Sequence, residues 1–333
     1  MAVIQKNNLM NKIISLFVVL FVLFVNSCGS SSDKSKDQKD TQEELSGNIS
    51  ISGAFALYPL AQKWAEEFQK LHPKVRIDVS AGGAGKGMTD AISGLVSLGM
   101  VSREVTKEET DKGAWYIAVT KDAVVPIVNE KNPVLQKLLN KGLSKETLQG
   151  IYLTGKITSW GVASGDKKIT DKINVYTRAD ACGAADVWAK YLGKKQEDLL
   201  GTAVSGDPGV TEAVKNDENG IGFNNIGYAY DSKTKYINAG IKILPIDFNG
   251  NGIIDDKEYF YQHKDSLVKA IADGRYPSPP ARDLYFVSKG KPADKIVIAF
   301  LKWILTDGQK YVAEAGYITL PAEKIISSLD KLK

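Results

Sequence analysis

Three times in this chain a run of alternating β-formers meets a glycine turn and passes directly into an apolar helical stripe. The first unit runs from Ile49 and Ile51 through Gly53 into a helix near Tyr58-Pro59, striped by Leu60, Trp64, Phe68 and Leu71. The second leads from Val75, Ile77 and Val79 through Gly82-Gly83-Ala84-Gly85-Lys86-Gly87 to Met88, Ile92 and Leu95. The third leads from Ile173, Val175 and Thr177 past Gly183 to Val187, Trp188 and Tyr191. A further strand, Leu98-Gly99-Met100-Val101, follows the second unit and ends at Ser102-Arg103. Strand and helix in strict alternation predict an α/β fold with a largely parallel sheet, in which ligands collect beyond the carboxyl ends of the strands.

The turns themselves carry chemistry. The first amides of a helix have no partner within it, and the aligned peptide dipoles add partial positive charge there. In the third turn Arg178 stands just before Ala179-Asp180-Ala181-Cys182-Gly183-Ala184, so a planar fork of donors joins those amides. Taken alone, this stretch reads first as an ordinary turn with a surface Arg178–Asp180 pair. Three such turns in one chain favour an anion pocket suited to a tetrahedral oxyanion.

The remainder divides the chain in two. Residues 115–129 form a β-rich run with Pro126 inside it, too long for one strand, and read as a strand plus a crossing into a second lobe. Helices are expected at 134–140, 145–152, 210–215 and 258–272, and strands at 221–223 and 241–246. A proline-rich stretch, 276–283, precedes a strand at 284–287 taken as the return crossing, and helices at 293–305 and 309–315 close the chain. Two crossings imply a hinge with the ligand between the lobes.

At 333 residues the chain accommodates two domains, and a net charge of only +4 argues against a nucleic-acid binder. Lys6, Lys12 and the apolar run 13–25 read as an export signal over 1–27. It ends in Val25-Asn26-Ser27-Cys28, similar to a lipoprotein cleavage site at which Cys28 becomes the acylated first residue. Residues 28–46 are polar and read as a disordered tether. With Cys182 as the one other cysteine, no disulfide framework exists.

Several segments in order resemble one family: Ile51-Ser52-Gly53, Tyr58-Pro59-Leu60-Ala61, Gly82 to Gly87, Leu98 to Arg103, Gly155-Lys156-Ile157 with Trp160, Tyr176-Thr177-Arg178-Ala179-Asp180, and Leu284-Tyr285-Phe286 with Lys289-Gly290-Lys291-Pro292. Together they are similar to the substrate-binding proteins of phosphate ABC transporters. The resemblance implies a two-lobed type II periplasmic-binding-protein fold, each lobe a mixed, mostly parallel sheet flanked by helices. Lobe 1 would comprise 47–122 plus 284–333 and lobe 2 123–283. It implies an extracytoplasmic, monomeric, membrane-anchored binder without catalytic residues, which captures phosphate and passes it to a permease. The implied ligand contacts are Ala54, Phe55, Ala56, Ala84, Ser102, Arg103, Arg178, Asp180, Cys182, Gly183 and Ala184. Family members usually carry hydroxyls where this chain has Phe55, Ala84, Cys182 and Ala184. Backbone amides survive those replacements, but a phosphate ester or another ligand, or a surface scaffold that no longer binds an anion, stays open.

A separate motif runs Asp247-Phe248-Asn249-Gly250-Asn251-Gly252-Ile253-Ile254-Asp255-Asp256-Lys257-Glu258. It meets the EF-hand pattern, with oxygens from Asp247, Asn249, Asn251, Asp255 and Glu258, glycine at position 6 and the Ile253 carbonyl at position 7. A strand precedes it, so one structural calcium is expected, with a polar turn that binds nothing as the alternative. Other signals fall short. Gly83 to Thr89 imitates a phosphate loop but lacks its first glycine, and two histidines, His72 and His263, cannot build a zinc or Ser-His-Asp site. Cys182 reads as a buried structural thiol.

Overall fold

The alternating runs become strands β1 (Gly47–Gly53), β2 (Val75–Ala81), β3 (Leu98–Val101), β4 (Ala114–Asn129), β5 (Leu143–Ser144), β6 (Asn174–Arg178), β7 (Thr202–Val204), β8 (Gly220–Asn225), β9 (Ile241–Ile243), β10 (Ile246–Asp247) and β11 (Ala281–Lys289). The computed structural model describes residues Glu44–Lys333. The expected leader, Cys28 and the tether up to residue 43 lie outside the described residues. Of the tether's last residues, Leu45 already packs against the first core.

Nine strands form one sheet, eight of them in the order β2-β1-β3-β11-β4-β8-β6-β7, with β9 added on β4. β1 is parallel to β2 and β3, and β6 is parallel to β7 and β8. The antiparallel pairs all involve β4 or β11. The fold is therefore mixed α/β, with two parallel blocks joined through two long crossing strands. One core gathers Ile49, Trp64, Phe68, Met100, Val119, Leu284 and Phe300. The other gathers Ala123, Val128, Tyr152, Trp188, Phe223, Tyr276 and Ala281. Along β4 the change of core falls between Val119 and Ala123, and along β11 between Leu284 and Ala281. These are the two hinge crossings of a two-lobed molecule.

Three expectations need correction. Residues 114–129 are one unbroken strand, because β4 changes partners midway: β11 flanks it up to Ala123, and β8 from Val124. Pro126 is tolerated there, opposite Phe223, with its carbonyl accepting from Leu244 N. The strand expected at 241–246 breaks at Leu244-Pro245. The helix expected from Glu258 begins instead at Lys264, where His263 Nδ1 accepts from the Asp265 amide (3.3 Å). Phe260 and Tyr261 lie outside the helix and are both buried. The amphipathic helix Ala322–Lys331, packed along β4, was not foreseen.

Candidate functional site

Each glycine turn delivers a helix end to the line where the lobes meet. Helix Tyr58–Leu71 follows β1 after Ala54-Phe55-Ala56, helix Ala84–Ser93 follows β2 after Gly83, and helix Gly183–Leu192 follows β6 after Cys182. Among the described hydrogen bonds the amides of Phe55, Ala56, Ala84, Gly183 and Ala184 donate to no protein acceptor. The lobes touch directly here. Gly85 N donates to Ala181 O (2.9 Å), and Tyr228 Oη donates to Phe55 O (3.3 Å). A Cβ placed on Gly183 would lie 2.2 Å from Ser102 O, and one on Gly83 would lie 2.6 Å from an Asp180 oxygen. Ser102, Gly183, Gly83 and Asp180 are thereby brought into one place.

Arg178 ends β6 with its side chain 1% exposed. Its Nε and Nη2 donate to the two Asp180 oxygens (2.9 and 2.7 Å), and Nη1 donates to Asp207 Oδ2 (2.8 Å). Burial alone would lower its pKa, but Asp207 and Asp180 outweigh that and raise it. Guanidinium has five N–H groups, so two remain beyond these three bonds. The Phe55 ring lies 5.4 Å from the Arg178 carbon and abuts Gly206. A first-lobe aromatic thus covers the second-lobe cation.

Other expected residues occupy the site without a polar side chain. Ala54, Ala84 and Ala184 are buried, and the Cys182 thiol caps its own helix by accepting from Ala185 N (3.3 Å). Burial pushes that thiol up to about 12, so it stays protonated and unreactive. Arg103 is turned elsewhere: it makes a two-pronged pair with Glu109 (2.9 and 2.6 Å) and donates to Glu104 O (2.9 Å). The metal-loop residues Asp247, Asn249, Asn251, Ile253, Asp255 and Glu258 lie in the second lobe, Asp247 ending β10 and the others following it.

The sequence did not reveal the polar support behind Arg178. Asp207 Oδ1 accepts from the Asn225 amide groups, and the Asn225 side-chain oxygen accepts from Arg282 Nη2. Arg282 Nη1 donates to Gly183 O (2.7 Å), and Nη2 lies 3.5 Å from Asp122. Gln196 braces the turn by donating to Asp180 O and accepting from Cys182 N. Asp207 was signalled only by Ser205-Gly206-Asp207-Pro208, a fourth strand–glycine–helix turn after β7.

A PBP superfamily domain matches residues 38–308. The chain is 28% identical to the phosphate-binding protein PstS of Bacillus subtilis (strain 168) over 327 residues, covering 96% of this chain and 97% of that one. PstS of Staphylococcus epidermidis (strain ATCC 12228 / FDA PCI 1200) is 27% identical, with 93% and 89% covered. A solved structure from Clostridium perfringens with bound phosphate has a TM-score of 0.67 at 24% identity, covering 83% of this chain and 100% of that one. An ABC-type phosphate transport receptor from Vibrio cholerae reaches 0.58 at 22%, with 82% and 100% covered. The structural likenesses carry the fold, and the relatives are named for binding and transport rather than catalysis. With the domain match spanning most of its length, the chain belongs to the PBP superfamily.

Proposed function

We propose that this protein is an extracytoplasmic solute-binding protein that captures phosphate, or a closely related tetrahedral oxyanion, for an ABC permease. Cys28 would tether it to the membrane by a lipid. The reading is supported by the buried Arg178 guanidinium, held rigid by Asp180 and Asp207, with the Phe55 ring beside it and Gly83 against Asp180. A held donor loses little entropy on binding, and amides at helix ends are fixed in the same way. The relatives named PstS support phosphate as the guest.

A second reading has its own support. Without hydroxyls at Ala84, Cys182 and Ala184, each missing neutral hydrogen bond withholds about 0.5–1.5 kcal/mol. The exposed part of Phe55 would suit the organic group of a phosphate ester. Titration calorimetry of the chain with phosphate, sulfate and a phosphate monoester separates these readings. We expect phosphate to bind, and Arg178→Ala to lower its affinity at least 100-fold while far-UV circular dichroism stays native. Tighter binding of the ester favours the second reading. Absence of heat from all three anions overturns both in favour of a scaffold.

A further inference from the structure

We infer that residues 247–258 form a calcium site in the second lobe, independent of the anion cleft. The backbone is curled by positive φ at Gly250 (73°) and Gly252 (81°). Its side-chain oxygens accept from backbone amides in sequence. Asp247 Oδ1 and Oδ2 accept from the Gly250 and Gly252 amides (2.7 and 2.9 Å). Asn249 Oδ1 accepts from Asn251 N (2.9 Å), and Asn251 Oδ1 accepts from Ile253 N (3.0 Å). At the far end Glu258 folds back over the loop, its Oε1 accepting from Phe248 N (2.7 Å) and Asn249 N (3.3 Å).

Glu258 is what separates a cation site from a polar turn. The residue is 4% exposed, and its second oxygen, Oε2, is buried with no hydrogen-bond partner. An unsatisfied buried acceptor on a carboxylate is unfavourable, and a divalent cation against it removes that penalty. Among the described residues no group of three or more His, Cys, Asp or Glu side chains is gathered as a metal site. Along its length the loop carries carboxylates at Asp247, Asp255 and Glu258, amide oxygens at Asn249 and Asn251, and the Ile253 carbonyl, which a cation would draw together. So many neutral and charged oxygens suit Ca²⁺, whereas Mg²⁺ demands a compact octahedron and retains its waters.

The loop is locked at both ends. Ile254 N donates to Asn140 O (2.8 Å), and β10 pairs with β5. Phe248 and Phe260 stack edge-on against Tyr276 (5.7 and 6.1 Å), and the Tyr276 hydroxyl donates to the Val124 carbonyl on β4. An ion here braces the aromatic cluster beneath the crossing strand. With no helix on either side of the loop there is nothing to swing, so the site is a brace rather than a sensor.

The test uses the whole chain, stripped with EGTA and dialysed into phosphate-free buffer. Calorimetry with CaCl₂ should give one site, with MgCl₂ at least tenfold weaker, and the melting temperature should be higher in calcium than in EGTA. Glu258→Gln should weaken calcium binding at least 100-fold and abolish that difference. Asn251→Ala removes one exposed ligand oxygen, so it should weaken calcium about tenfold while far-UV circular dichroism stays native. No calcium heat and equal melting temperatures in the native chain overturn the inference. So does calcium binding at native strength in both variants.

Discussion

At the scale of single residues, the crossing on β4 holds a buried carboxylate that is only partly answered. Burial pushes Asp122 up to about 6, against the opposing pull of Arg282 3.5 Å away, and its Oδ1 has no hydrogen-bond partner. Because the folded value lies above the ordinary one, the native state binds this proton more tightly than the unfolded chain does. The associated stability is complete below the usual aspartate range and is lost as pH rises through about 6. Asp122→Asn should remove that slope. Urea unfolding between about pH 4 and about pH 7 should show native losing roughly 2–3 kcal/mol relative to the variant, an upper figure for one such group. Parallel pH profiles would show that Asp122 is not the titrating group. Local spacing made the Arg178–Asp180 pair legible in the sequence, since residues two apart at a strand end share a face. Asp207, Asn225, Arg282 and Asp122 come from distant turns and strands, and pairwise contact across a fold leaves no trace in local pattern.

At the scale of elements, helix Ala84–Ser93 shows why glycine spacing outweighs helix propensity. Gly in a helix interior is usually about 1 kcal/mol worse than Ala. Here a Cβ on Gly87 would stand 2.4 Å from Met100 O and 2.8 Å from the Gly53 Cα, both backbone atoms that cannot yield. Gly99 lies as close to the Gly87 carbonyl, so three glycines set the helix directly on β1 and β3. Gly87→Ala should therefore destabilise the protein, lowering the midpoint of thermal unfolding by several degrees. A rise in that midpoint would mean the helix sits further from the sheet. The three strand–helix units were readable because period-two and helical patterns are strong and local. β4 was misjudged because a proline inside a β run normally marks a break, whereas here its missing N–H meets no demand from β8. The start of helix Lys264–Ala272 was missed because Phe260 and Tyr261 carry no period.

At the scale of the molecule, the cleft closes on a contact without slack. Gly183 from one lobe meets Ser102 from the other so closely that even a methyl group would strike the Ser102 carbonyl and hydroxyl. Gly183→Ala should hold the lobes apart. X-ray scattering with saturating phosphate should then give a larger radius of gyration than for the native protein, with far-UV circular dichroism unchanged and phosphate affinity sharply reduced. A variant as compact as native would show that the lobes approach by another route.

β4 runs unbroken from the first core into the second, hydrogen-bonded to β11 at one end and to β8 and β9 at the other. Neither half of the molecule can therefore be excised as a free-standing fragment, since any cut that frees one strips a central ribbon from the other. The two halves must be made, inherited and lost together. An insertion tolerated at an outer edge would, at Lys121 or Asp122, shift the register of both blocks of the sheet at once.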